Sequence, residues 1–375
     1  MLYKACITIV SLSLGMQNNA IHSFYSGINQ MKTNYLEENI HYCNQQAGIT
    51  LAGTITIPDL SKKNPAVILI AGYGKHDRNV SFMGKQPFKI LADYLAQKGI
   101  AVLRYDKRGA GTSTGDYEKA TSKDFVADVV AGIEYLKTRN DIDASQIGLI
   151  GLSEGGLIAS MVASEFKDVA FVVLLAPAVL TNPEDLVEMT GLQLRADGAS
   201  KEFIKNDAQL RKQIFTIVKN ESDSEVAKNK LQQIVAHYLV QLPESQKAES
   251  AQLPWAFTQE KSESMINTFN SVWYRYFLRC KPNEMLKKIK VPVLALNGDH
   301  DWIVSPDIVF PILDAALKEA GNNDYSLIKL ANINHMFQMC KTGALSEYGE
   351  IQEAISPLVL SIIADWILER IRLID

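Results

Sequence analysis

The sequence predicts an α/β fold: a mostly parallel eight-stranded sheet flanked by helices, with a helical cap inserted late in the chain. Three observations point there. From about Glu37 onward, short apolar runs alternate with stretches of helical periodicity, as strands buried on both faces and their covering helices require. One apolar run passes directly into Gly151-Leu152-Ser153-Glu154-Gly155, a G-x-S-x-G element of the kind that forms a sharp strand-to-helix turn. Between Pro177 and Met285 the alternation stops. A stretch of roughly a hundred residues without strand signals must carry structure of its own.

Taken in order, the chain opens with Lys4, an apolar run from Ala5 to Met16, and Gln17-Asn18-Asn19-Ala20. This resembles a secretory signal over residues 1–20, too short to span a membrane. The expectation is a secreted or periplasmic protein; a buried first strand or helix, and a cytoplasmic location, is the alternative. Cys6 stands at the start of the run, not after it, and is badly placed for lipid attachment.

Ile49 to Ile57 alternates as an early antiparallel strand, and Pro58 ends it. Ala66 to Ala71, Ile100 to Arg104, Ile147 to Leu152, Ala170 to Ala176, Val293 to Asn297 and Tyr325 to Leu330 read as further strands. Phe88, Leu91 and Leu95 mark a helix stopped by Gly99, and Phe125, Val129, Ile133 and Leu136 mark another. A helix follows Ser153, small at its start, and a last one spans about Ile355 to Ile371. The core is therefore expected over 37–177 and 286–375, with the cap over 178–285. Within the cap, Leu210, Ile214, Ile217, Val218, Leu231, Ile234, Val235, Tyr238 and Leu239 fall at helical spacing. Packing of cap onto core is the expected use of that stripe.

The chain has 375 residues, 47% of them hydrophobic, and a net charge of −4 with both signs interspersed. No basic face invites nucleic acid, and no polybasic patch invites a membrane. A small, uncharged or mildly polar substrate fits better. With the leader removed, Cys43, Cys280 and Cys340 remain, enough for one disulfide at most. They are expected to be buried or lightly paired. There is no C-x-x-C and the six histidines are scattered, so neither a metal site nor a thiol redox centre is expected.

A serine hydroxyl is a weak nucleophile near neutral pH and needs a base, plus a third group that holds the base's tautomer. Ser153 is the candidate nucleophile. His22, His41, His76 and His237 lie beside the leader, before the first strand, after an early strand and within the cap. His300 stands next to the candidate acids, whereas His335 follows the last strand in a loop able to reach the elbow. His335 is the candidate general base and then acid. Asp299 and Asp301 both follow the strand Val293 to Asn297. Asp301 fits the G-x-x-D-x-x-V spacing of Gly298 to Val304 and is preferred, with Asp299 left as a turn residue.

Two backbone N–H groups are needed to hold a developing oxyanion. The residue after the nucleophile, Glu154, offers one; the loop Gly72-Tyr73-Gly74-Lys75-His76-Asp77-Arg78 offers the other, with Tyr73 the best candidate. That loop lacks a phosphate-binding signature. Asp106-Lys107-Arg108-Gly109-Ala110-Gly111-Thr112-Ser113 reads as a turn in which Asp106 and Arg108 hold neighbouring loops. Trp273, Tyr274, Tyr276 and Phe277 either line an acyl pocket or simply pack.

These segments, with Arg104-Tyr105-Asp106-Lys107-Arg108-Gly109, Leu296-Asn297-Gly298-Asp299-His300-Asp301 and Asn334-His335-Met336-Phe337, resemble the bacterial α/β-hydrolase carboxylesterases with a helical cap. The resemblance covers nearly everything beyond about Glu37. It implies hydrolysis of short-chain acyl esters without a cofactor, with Ser153, Asp301 and His335 at the triad positions. Two positions depart from the pattern: Leu152 stands where histidine is common, and Tyr73-Gly74-Lys75 replaces a more usual Ser-Gly-Pro. A thioesterase, a serine aminopeptidase or a non-catalytic binding protein are the competing readings.

Overall fold

The computed structural model describes the backbone of residues 6–10 and the residues 35–180 and 182–371. Nine strands form one sheet: β1 (Cys6–Val10), β2 (Leu36–Asn44), β3 (Ile49–Ile57), β4 (Asn64–Ile70), β5 (Ala101–Tyr105), β6 (Ile142–Leu152), β7 (Val172–Leu175), β8 (Val293–Gly298) and β9 (Tyr325–Leu330). Their order is β1-β9-β8-β7-β6-β4-β5-β3-β2. β2 and β3 pair antiparallel, β3 pairs antiparallel with β5, and the remaining pairs are parallel. Eight strands lie from Leu36 onward, and β1 adds a ninth at the edge beside β9. Those five residues belong to the run read as a leader; its other residues, 1–5 and 11–20, lie outside the described ones.

β2 was not expected from the sequence. It pairs with β3 along nine residues, yet its outward positions, Glu37, Asn39, His41 and Cys43, are solvated. A half-wet edge strand lacks the continuous apolar run that betrays a central one. Every residue of β5, β7 and β8 is buried, so helices cover both faces. α1 (Pro87–Gln97) packs with the last helix, α12 (Pro357–Ile371); α2 (Ser122–Lys137) packs with α3 (Glu154–Glu165). α2 begins three residues before the apolar stripe because Thr121 and Asp124 form a capping box, the Thr121 amide donating to the Asp124 carboxylate at 2.8 Å. α12 starts at Pro357, where a proline suits the first turn, and not at Ile355.

Between β7 and β8 the described chain is helical: α4 (Pro183–Ala196), α5 (Lys201–Asn220), α6 (Ser224–Gln241), α7 (Glu244–Gln252), α8 (Ser262–Phe269), α9 (Val272–Phe277) and α10 (Pro282–Leu286). α10 packs on α3 and on α11 (Pro306–Glu319), a core helix. The apolar stripe of α5 and α6 corrects the expectation that it meets the core. Leu210, Ile214, Val218, Leu231 and Val235 pack with Phe215, Phe257 and Phe269 in a cluster of their own. Burial within the insertion, and not against the sheet, accounts for the stripe.

Candidate active site

Parallel strands end on one edge of the sheet, and the candidate residues come from four of those ends, β4, β6, β8 and β9. β6 runs into Ser153, which has φ 56° and ψ −117° and caps α3. Its amide donates to Leu175 O (2.8 Å), and its carbonyl accepts from the amides of Gly156 (2.9 Å) and Ala178 (3.1 Å). The strained dihedral belongs to the serine itself. Gly151 and Gly155 serve close approach: a Cβ on Gly151 would lie 2.1 Å from Gly155 O, and one on Gly155 would lie 2.1 Å from Ile70 O. No side chain fits there.

Beyond β8, Asp301 is fully buried. Its Oδ1 accepts from the amides of Ile303 (3.0 Å) and Val304 (2.8 Å), and its Oδ2 meets Asn297 Nδ2 (3.3 Å) and His335 Nδ1 (2.8 Å). An ionised carboxylate against Nδ1 keeps the proton there and leaves Nε2 as the basic nitrogen. Beyond β9, the Asn334 side chain accepts from the amides of Met336 and Gln338, both at 3.0 Å, closing the turn that presents His335. The His335 amide donates to the Tyr348 hydroxyl at 3.3 Å.

Asp299 is turned elsewhere, bonded to His300 Nδ1 and to the Asn332 amide, each at 2.7 Å. The structure thus brings Asp301 to His335 and leaves Asp299 and His300 as a loop pair. No hydrogen bond joins the Ser153 hydroxyl to His335. In ligand-free sites such bonds are often long and tighten only with substrate.

The loop after β4 lies against the nucleophile. A Cβ on Gly72 would stand 3.1 Å from Ser153 Cβ, so glycine is what lets the two segments touch. Gly74 N–H donates to the Tyr117 hydroxyl and His76 Nε2 to Tyr73 O, both at 2.8 Å. Burial lowers the His76 pKa, which keeps that imidazole neutral. The Tyr73 amide makes no hydrogen bond among the described residues, and the Glu154 amide opens α3, where no carbonyl precedes it to accept.

Three groups here escaped the sequence reading. The Glu154 carboxylate is buried and accepts from Lys107 Nζ (3.1 Å), Ser122 Oγ (2.8 Å) and Trp273 Nε1 (2.5 Å). Lys107 Nζ also donates to Gly72 O at 2.8 Å and sits 4.1 Å above the Phe125 ring. Burial lowers the lysine's pKa, and the neighbouring Glu154 partly offsets this. Trp273 lies 4.2 Å, ring to ring, from Tyr73; in the sequence it was one aromatic among four. A glutamate in the otherwise apolar start of a helix was the available signal.

A cleft of about 510 Å³ opens beside Tyr73 and Trp273, lined also by Tyr117, Glu118, Glu260 and Glu263. Ser153 and His335 do not line it. Asp106 and Arg108 are structural, as expected: Asp106 pairs with Arg78 (2.8 Å), and Arg108 grips Asp128 through two bonds of 2.8 Å. Cys43, Cys280 and Cys340 are free thiols, and Cys43 is exposed, which corrects the expectation of burial for that one. An edge strand faces it to solvent.

Sheet order, elbow and carboxylate–imidazole pair define an α/β-hydrolase. The chain belongs to the X-Pro dipeptidyl-peptidase (S15) family, whose model matches residues 47–331. It is 33% identical to esterase EstD of Thermotoga maritima over 128 residues, 34% of this chain and 31% of that one. It is 25% identical to the human mitochondrial palmitoyl-protein thioesterase ABHD10 over 177 residues, 46% of this chain and 49% of that one. The chain thus spans about a third to a half of the length of these curated relatives. Among solved structures, Pyrococcus furiosus esterase PF2001 superposes with a TM-score of 0.52 at 17% identity, covering 98% of this chain and 97% of that one. Est1E of Butyrivibrio proteoclasticus, solved with ferulic acid bound, gives 0.52 at 20% identity, covering 89% and 99%. At such identities these two establish the fold.

Proposed function

We propose that the protein is a serine hydrolase that cleaves carboxylic esters, short-chain acyl esters first among them, through an acyl-enzyme. The observations that support this most are the buried Asp301–His335 bond at 2.8 Å and an elbow whose serine has φ 56°. Ser153 Oγ attacks the ester carbonyl while His335 Nε2 takes its proton. Asp301 holds the imidazole and stabilises the imidazolium that forms. The amides of Tyr73 and Glu154 receive the oxyanion. His335 then returns the proton to the leaving alcohol, and water repeats the sequence in reverse to free the acid. No step needs a metal or cofactor.

The family match favours a second reading, cleavage of a peptide bond by the same groups, and the thioesterase relative a third leaving group. Fluorophosphonate labelling of the intact protein and of Ser153→Ala tests the nucleophile; equal labelling, or none in either, sinks it. Turnover on matched p-nitrophenyl esters, acyl thioesters and X-Pro p-nitroanilides then ranks the leaving groups. Fastest turnover of the short esters is expected, and a faster anilide would replace this reading with the peptidase one. Export from the cytoplasm belongs to the same proposal and requires that β1, which pairs with β9 at the sheet's edge, be dispensable; periplasmic fractionation of the full chain with loss of residues 1–20 by mass is the expected result, and an intact chain retained in the cytoplasm would overturn it.

A further inference from the structure

Lys107 and Glu154 form an ion pair with both side chains almost wholly enclosed. Removing two charges from water costs more than their attraction returns unless further bonds satisfy both groups. Here the further bonds are specific. The ammonium reaches Gly72 O, and the carboxylate takes Ser122 Oγ and Trp273 Nε1. None of these groups enters the proton transfers above.

Gly72 O and the Tyr73 amide hydrogen belong to one planar peptide unit. In a trans unit the carbonyl and the N–H point in opposite directions, so a bond that fixes one fixes the other. Gly72 itself lies against Ser153. Glu154, whose own amide opens α3, holds the lysine that grips this peptide. We propose that Lys107 is a positioning residue for the oxyanion hole: clamped by the Glu154 carboxylate, it holds the Gly72 carbonyl and thereby aims the Tyr73 amide hydrogen at the space beside Ser153 Oγ. A hydrogen bond to the carbonyl also polarises the peptide, which strengthens the N–H as a donor. The arrangement joins both oxyanion donors through a single side-chain pair, and Trp273 extends the connection into the helices inserted after β7.

The inference rests on the serine-hydrolase reading. Its test compares p-nitrophenyl acetate turnover and thermal stability in Lys107→Met, in Lys107→Met/Glu154→Gln and in Ser153→Ala. Removal of one oxyanion donor typically costs about 10²- to 10³-fold, and a misaimed donor somewhat less. Lys107→Met is therefore expected to lower kcat about 10- to 100-fold with KM changed little, and to lower Tm because the Glu154 carboxylate is left buried without its cation. The double variant buries no charge; it is expected to recover Tm while kcat stays at least about 10-fold down. Recovery of kcat together with Tm in the double variant would overturn the proposal, as would an unaltered kcat in Lys107→Met. Should Lys107→Met fail to fold, the double variant decides. Ser153→Ala separates the two claims. If it abolishes turnover while the Lys107 variants keep theirs, the nucleophile stands and the positioning role falls; if it keeps turnover, both fall.

Discussion

At the scale of single residues, the two aspartates after β8 show how much local bonding decides. Asp301→Asn leaves the site's shape intact but lets His335 adopt the wrong tautomer, and kcat on a short ester is expected to fall about 10⁴-fold. Asp299→Asn perturbs only the loop bonds to His300 and Asn332, so activity should change less than tenfold. Steady-state kinetics on both variants checks the pair. Glu353 supplies a pH dependence. It is buried, accepts from the Met339 amide close to the histidine loop, and burial pushes its pKa from 4.5 up to about 7. Between those values the folded protein keeps a proton that the unfolded chain has released. The stability this contributes is full below pH 4.5 and is lost as pH rises through 7, a swing of about 3 kcal/mol. Glu353→Gln keeps an acceptor for Met339 and should raise Tm at pH 8 relative to wild type, with no gain at pH 4.5. A scan of Tm against pH decides this. Spacing and strand order picked out Ser153 at the elbow and the pairing of Asp301 with His335 from the sequence. Lys107 was not picked out, because its meaning lies in a carbonyl 35 positions away, and no local pattern encodes such a partner.

At the scale of elements, the elbow is a matter of clearance. Gly151→Ala would drive a methyl group into the Gly155 carbonyl, and backbone has no rotamer by which to yield. A loss of at least about 3 kcal/mol, or an insoluble protein, is the expected outcome, read by denaturant unfolding. The turn after β5 predicts a loss of similar size by another cause. Arg108→Ala leaves Asp128 buried without its cation, which costs about 3–5 kcal/mol; Asp128→Asn in addition should return part of it. Central strands were legible because burial on both faces demands continuous apolar sequence. β2 was not, since an edge strand faces water on one side and its glutamates read as loop.

At the scale of the whole molecule, two large apolar assemblies share one chain, with a small third around Leu194, Phe203, Leu253 and Ala256. The sheet and its helices form one, and the helices after β7 build a second around Phe215, Phe257 and Phe269. Phe269→Ala is expected to cost about 3–5 kcal/mol, with faster amide hydrogen exchange confined to residues 183–278 and none gained in β4 to β8. Exchange spreading into the sheet would show instead that the two parts unfold together. The insertion was visible in the sequence as a break in alternation, but its inward packing was not, because helical periodicity names a buried face without naming what covers it. The parallel ladder has one last consequence. Ser153, Asp301 and His335 follow β6, β8 and β9, and the Tyr73 loop follows β4, so no fragment shorter than the span from that loop to His335 holds all four. On the serine-hydrolase reading, a chain emerging from the ribosome cannot turn over substrate until the residues beyond β9 have been made, because the candidate base follows that strand.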